Sequence, residues 1–167
     1  MEVTCTHEAS TIATAPAGAL VVTETLSGPT FSILSATDSD RRDCIDFKPG
    51  GSSDTPRAIA SDYNLHHNGD DICFVVPSAI LRPDPTSFTR NFATGAPAGS
   101  LVMTNGQLHL YAGSDRPMDR GCLFNFETNK PRYGSPAPSC YYYSRWSFVV
   151  PNGPIAETTL YTFDADA

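Results

Sequence analysis

The amphipathic helical period is all but missing from these 167 residues. Apolar positions do not recur at three- and four-residue spacing over any long window, which argues against a helical bundle. Charge is also scarce. Asp, Glu, Lys and Arg make up 17% of the chain, against roughly 25% in typical soluble domains. Basic residues are the rarer kind, 11 against 18 acidic, for a net charge of −7. An acidic surface repels phosphate backbones and anionic headgroups, so neither nucleic acid nor a membrane surface is an expected partner. The densest basic pair, Arg41-Arg42, is outnumbered by Asp38, Asp40, Asp43 and Asp46.

The longest apolar runs are four or five residues, too short to cross a bilayer. No leader is legible, and Met1-Glu2 fits a start that replaces a removed one. No Asn-x-Ser/Thr sequon occurs, so N-glycosylation is not expected. There is no G-x-S-x-G elbow, no H-E-x-x-H, no phosphate-cradling loop and no C-x-x-C pair. Gly50-Gly51-Ser52-Ser53 lacks the lysine and following helix of a phosphate loop. A glycosidase needs two acids facing each other across a cleft, and thirteen Asp and five Glu do not locate such a pair. An enzyme is left open; the reading leans to a non-catalytic protein with no cofactor and no metal.

What the chain does have is Ser, Thr, Gly and Pro, a balance that favours strands and turns. Short apolar alternations bounded by Gly, Pro, Asn and Asp predict strands at residues 19–25, 30–35, 44–47, 72–76, 101–104, 107–112, 122–126, 141–150 and 158–163. Asn105-Gly106 supplies the positive φ values of a type I′ hairpin turn. The segment around residues 55–63 is expected to give one helical turn or none. Residues 82–87, with Pro83 and Pro85, read as a connector, because proline cannot join a central ladder.

Three segments recur in order. Ala15-Pro16-Ala17-Gly18-Ala19-Leu20-Val21-Val22-Thr23 returns as Ala96-Pro97-Ala98-Gly99-Ser100-Leu101-Val102-Met103-Thr104. Arg42-Asp43-Cys44-Ile45-Asp46-Phe47 returns as Arg120-Gly121-Cys122-Leu123-Phe124-Asn125-Phe126. Phe74-Val75-Val76-Pro77 returns as Phe148-Val149-Val150-Pro151. An ordered recurrence points to one packing solution used twice. The expected fold is all-β: a single domain over residues 1–167, a compact β-barrel or β-sandwich with an approximate internal two-fold repeat, the copies at 15–81 and 96–163. The alternative is a shared strand-turn pattern without duplication.

Five cysteines stand at positions 5, 44, 73, 122 and 140. Wide spacing in such a chain fits disulfides formed in an oxidising compartment. The expected pairs are Cys44–Cys73 and Cys122–Cys140, although four cysteines allow three pairings. Cys44 and Cys122 occupy matching places in the recurrence. Cys5 is left over, either free in a monomer or joining two chains as a dimer. The alternative is five reduced, buried thiols.

The first candidate surface is the aromatic strand Tyr141-Tyr142-Tyr143-Ser144-Arg145-Trp146-Ser147-Phe148-Val149-Val150. Strand alternation places Tyr142, Trp146, Phe148 and Val150 on a core face and Tyr141, Tyr143 and Arg145 on the other. Two tyrosines and an arginine in line form a platform for a glycan ring or a protein partner; cross-strand packing is the structural alternative. The acidic run from Asp38 to Asp46 offers oxygen ligands for Ca²⁺, but it lacks the EF-hand glycine and terminal glutamate and carries two competing arginines. His66-His67-Asn68-Gly69-Asp70-Asp71 has adjacent histidines with no third nearby, a weak pattern for a metal.

Leu101-Val102-Met103-Thr104-Asn105-Gly106-Gln107-Leu108-His109-Leu110-Tyr111-Ala112, followed by Trp146-Ser147-Phe148 and Asn152-Gly153, resembles small secreted fungal cell-wall proteins of the phialide-associated and PIR-like type. The resemblance spans roughly residues 101–163 and is one of pattern. The chain lacks that family's Phe-Gln-Phe-Asp-like element and differs in cysteine spacing. The resemblance implies a secreted, non-catalytic protein at or near a cell wall; a related expectation is a fungal elicitor or effector perceived by a host. It carries over no functional residues. The expected function is a secreted, extracellular binding or cell-surface protein recognising a glycan or a host protein, with a small secreted hydrolase as the alternative.

Overall fold

The computed structural model describes residues 8–25, 28–36, 42–47, 56–59, 70–90, 95–114 and 121–166. Fifteen strands and one 3-10 turn occur among them. The first seven strands are β1 (Glu8–Thr11), β2 (Leu20–Thr25), β3 (Gly28–Leu34), β4 (Cys44–Phe47), β5 (Arg57–Ile59), β6 (Ile72–Val75) and β7 (Ile80–Pro83). The turn Pro85–Ser87 follows. The remainder are β8 (Phe88–Arg90), β9 (Leu101–Thr104), β10 (Gln107–Ser114), β11 (Cys122–Asn125), β12 (Lys130–Tyr133), β13 (Tyr141–Tyr143), β14 (Arg145–Pro151) and β15 (Glu157–Asp164).

The hairpin at Asn105-Gly106 forms as the sequence predicts. Thr104 faces Gln107 across a two-residue loop, with φ of 52° at Asn105 and 78° at Gly106. Both values are positive, as a type I′ turn requires. Of residues 55–63, expected to give one helical turn or none, the described part holds no helix and instead the strand β5, which pairs with β4. Arg82 and Pro83 are not only connector: they end β7, which pairs with β14 as the edge of a small sheet. An edge position leaves the missing proline N–H without consequence.

The strands form three antiparallel groups, β1-β6-β2-β3-β4-β5, β8-β13-β9-β10-β11-β12 and β7-β14-β15, with a short parallel contact between β5 and β10. The chain is all-β. No group closes into a barrel among the described strands, which corrects the barrel half of the expectation. Strands β8 to β13 pair in the same order as β1 to β6.

Register refines the sequence matches. Val21 faces Val75 and Val22 faces Phe74; Val102 faces Tyr142 and Met103 faces Tyr141. Cys73 therefore falls at the place of Cys140, each one residue before the exposed aromatic. Cys44 does not fall at the place of Cys122. Leu34 faces Cys44 and Tyr111 faces Leu123, whereas Cys122 faces Ala112. A one-residue offset turns a strand side chain to the opposite face. Phe74-Val75 and Phe148-Val149 also part company, since β6 and β14 lie in different groups.

The main core draws on all three groups. It gathers Leu20, Ile33, Phe47, Leu101, Leu110 and Phe124 with Trp146, Phe148, Tyr161 and Phe163 from the small sheet. Within it Phe47 meets Trp146, Phe148 and Tyr161 with ring centroids 5.8, 5.4 and 5.2 Å away. The first two pairs are edge-on, and such pairs contribute about 1 kcal/mol each beyond area burial. Two satellite clusters occupy the other faces: Ile12, Ala15, Val21, Leu34, Cys44 and Cys73 in the first half, and Ala96, Val102, Leu123, Cys140 and Tyr142 in the second.

The expected disulfides are absent. Cys44, Cys73, Cys122 and Cys140 are free and buried. Cys44 and Cys73 share a cluster, yet β3 and β2 separate their strands. Cys122 belongs to the main core and Cys140 to a satellite, on opposite faces. Cys5 lies outside the described residues.

Candidate functional site

The sheet formed by β9, β13 and β8 ends on β8, whose three residues are all exposed. Tyr141 faces Arg90, Tyr142 faces Thr89 and Tyr143 faces Phe88. Alternation then puts Phe88, Arg90, Tyr141 and Tyr143 on one face and turns Tyr142 into the satellite cluster. The face is preorganised. Phe88 and Tyr141 stack with centroids 5.7 Å apart and planes 13° from parallel, and Phe88 meets Tyr143 at 4.7 Å. The Arg90 guanidinium lies 4.9 Å over the Tyr141 ring. Its Nη1 donates to the Tyr141 hydroxyl and its Nε to the Ser139 carbonyl, both at 3.3 Å. Phe88 is 46% exposed and Tyr141 45%. Tyr143 is half-buried, packed against the main core, and anchors the inner end of the row.

The sequence reading named Tyr141, Tyr143 and Arg145; the structure joins the two tyrosines and removes the arginine. Ser144 is buried, and its carbonyl accepts from the Ala165 amide, so the chain leaves one sheet there and enters another. Arg145 opens β14 and clips the turn: its Nη2 donates to Thr86 Oγ1 at 2.9 Å and its Nε lies 3.1 Å from Asp84 Oδ2. The hydroxyl and amide of Thr86, with the Arg145 charge adding to them, hold the Asp84 carboxyl below the usual carboxylate range. Trp146 and Phe148 are core, as alternation predicts, but Tyr142 belongs to a different cluster from theirs. The platform's cation is Arg90 and its third ring is Phe88. Phe88-Thr89-Arg90 has one apolar residue followed by two polar ones, so no alternation marks it as a strand.

The register place of Tyr141 in the first half belongs to Phe74, opposite Val22. Phe74 is 39% and Ile72 67% exposed. They line a groove of about 550 Å³ together with Thr23, Glu24, Asp70 and Asp71. No lysine or arginine lies on β1, β2 or β6.

The other candidates resolve into structural contacts where they are described. Of the acidic run, Asp46 accepts from the Ser32 hydroxyl at 2.6 Å and Asp43 from the Tyr133 hydroxyl at 2.7 Å. Arg42 donates to the Ala15 carbonyl. Asp38, Asp40 and Arg41 lie outside the described residues, as do His66, His67, Asn68 and Gly69. His109 is held in a polar cluster: its Nε2 accepts from Asn125 Nδ2 at 3.1 Å, which leaves Nδ1 to donate to the Gln107 carbonyl at 3.2 Å. Among the described residues no group of three or more His, Cys, Asp or Glu is placed to hold a metal. Burial pushes the thiols of Cys44 and Cys73 up, and that of Cys122 up to about 12. A buried thiol with a raised pKa is neither a nucleophile nor a ready metal ligand. No helix among the described residues is long and apolar enough to cross a membrane.

No protein-family model, no curated protein and no solved structure matches this chain.

Proposed function

We propose that this is a non-catalytic protein of the cell exterior, a wall or surface component that works by contact, and that Phe88, Arg90, Tyr141 and Tyr143 form its contact face. The observation that carries the reading is the parallel pair Phe88–Tyr141, nearly half exposed and braced by Arg90. Large rings at a surface favour a partner most when their rotamers are already fixed, because little entropy is then lost on binding. Composition supports an exterior location: low charge and abundant Ser, Thr, Gly and Pro. The non-catalytic reading is supported by the engagement of the reactive groups. The described thiols are buried, and Asp43, Asp46, Asp84 and Glu157 are tied to neighbouring side chains.

The finer reading of the fold, a two-layer sandwich made by internal duplication, belongs to the same proposal. Its support is reciprocity. The Gly18 amide donates to Leu34 and the Gly99 amide to Tyr111; the Ala36 amide donates to Asn129 and the Gly113 amide to Pro56. Register makes Leu34 the counterpart of Tyr111 and Pro56 that of Asn129, so each half grips the other in the same way.

Retention on isolated cell-wall material tests the contact face. The wild-type protein is expected to sediment with the walls, and the Phe88→Ala/Tyr141→Ala double variant to stay in solution with an unchanged circular dichroism spectrum. Retention that survives the double substitution, or turnover of wall polysaccharide by the purified protein, overturns the reading.

A further inference from the structure

The two faces that share a register place carry opposite charge. On β8, β9 and β13 the only charged side chain is Arg90. In the first half, the exposed Ile72 and Phe74 are bordered by Glu24, Asp70 and Asp71. Both faces are apolar at the centre and charged at the rim, the pattern of surfaces that bury a hydrophobic patch inside a polar ring. They also sit at the two ends of one strand order: among the described strands β1 and β8 are its outermost members.

We infer that the partner of the Phe88–Arg90–Tyr141 face is the Ile72–Phe74 groove of a second copy of this chain, so that copies join head to tail; the inference rests on the contact-face reading given above. Charge selects this pairing over the others. Two Arg90 faces repel each other, as do two acidic grooves, and only the mixed contact places the guanidinium among carboxylates. In that contact the Phe88 and Tyr141 rings cover Ile72 and Phe74, removing from water four of the large apolar side chains that are exposed in the single chain. A contact between two different patches does not close on itself as a two-fold pair does. The joined pair keeps one free patch of each kind, one on each copy, and the association continues into rings or filaments. Extended assembly suits a surface layer built from one small protein.

Sedimentation velocity over a range of protein and salt concentrations tests this. At low salt the wild-type protein is expected to grow beyond a dimer with increasing concentration. Salt of about 0.5 M should return it to smaller species, because the Debye length is then only about 4 Å. Arg90→Glu alone and Glu24→Lys/Asp70→Lys alone are each expected to weaken association at least tenfold. Mixing these two variants should restore it, because the reversed charges then face each other. All three positions are at the surface, so the fold should survive, and circular dichroism checks this. A wild-type protein that is monomeric under every condition overturns the inference, as does association indifferent to Arg90→Glu or a mixture that does not recover. A monomer still retained on walls through Phe88 and Tyr141 leaves the contact face standing and makes polysaccharide its partner. Loss of both retention and assembly overturns the two readings together.

Discussion

The indole N–H of Trp146 donates to the carbonyl of Gly99 at 2.7 Å, inside the main core. This bond ties the small sheet to the loop that leads into β9. Its acceptor is sealed from water, since Gly99 and Trp146 are both buried. Trp146→Phe removes the donor and leaves the carbonyl unpaired beside a void. An orphaned buried acceptor costs about 1–3 kcal/mol, and the void adds to it. A loss of about 3 kcal/mol in urea unfolding is expected; a loss below about 1 kcal/mol would show that the bond does not hold the two parts together.

Gly99 also sets up a comparison among three glycines. Gly18, Gly99 and Gly106 have φ of 77°, 97° and 78°, all in the region that disfavours a side chain. Alanine at each therefore incurs backbone strain of about 1 kcal/mol. The surroundings differ. A Cβ at Gly106 meets nothing, one at Gly18 meets the Asn129 side chain at 2.3 Å, and one at Gly99 lands 2.2 Å from the Phe163 ring and 2.8 Å from Pro56. The half-buried Asn129 side chain, held by one long bond to the Ala17 carbonyl, can swing aside, whereas the buried ring cannot. Thermal melts are expected to rank Gly106→Ala mildest, Gly18→Ala next and Gly99→Ala severe, the last losing several kcal/mol or failing to fold. Equal losses at all three would mean that strain alone decides.

The same loops show how much was legible from the residues. Ala-Pro-Ala-Gly before each apolar strand marks a real structural element, because positive φ and a close backbone approach both demand glycine. Nine segments are readable from alternation and cover ten of the strands, residues 141–150 taking in both β13 and β14, and the bounds of β4 and β9 coincide with the reading. The strands that escaped notice, β1, β5, β7, β8 and β12, have three or four residues each, and β7 and β12 carry prolines. Such strands show little apolar alternation of their own, and their pairing comes from partners far along the chain. That is why Tyr141 and Tyr143 could be named while Phe88 and Arg90 could not. Arg145 was misplaced because alternation assumes an unbroken strand, and the chain changes sheets at Ser144.

The acid side of the stability profile depends on two surface ion pairs. Arg82 Nη2 lies 2.6 Å from Glu157 Oε1, and this hydrogen bond, with the Arg82 charge, holds the Glu157 carboxyl below the usual range. Asp84 is held low in the same sense by Thr86 and Arg145. A carboxyl whose folded pKa is depressed stabilises the fold above its unfolded value, and the contribution fades as pH falls through the folded value. A small loss is therefore expected to begin near pH 4.5. Glu157→Gln should flatten it, and salt should weaken it because both pairs are exposed. An unchanged acid limb in Glu157→Gln, followed by chemical denaturation at successive pH values, would remove this pair from the account.

The alkaline side depends on the thiols. Their burial predicts that an alkylating reagent leaves Cys44, Cys73, Cys122 and Cys140 unmodified in the native protein and labels them once urea unfolds it; peptide mapping reads the result directly. Burial pushes Cys122 from an ordinary value near 9 to about 12 and also raises Cys44. With the folded pKa raised, the stabilising contribution is complete below the unfolded value. It is lost as pH climbs from about 9 towards 12, because the unfolded chain can ionise its thiols and the folded one cannot. The slope reaches about 1.4 kcal/mol per pH unit for each such thiol. Cys122→Ala should shed one share of that slope between about pH 9 and pH 10.5, while tyrosine and lysine ionisation is common to both proteins and cancels in the difference. A slope that Cys122→Ala leaves unchanged, or native labelling at Cys122, would contradict its burial in the core beside Phe124 and Leu110.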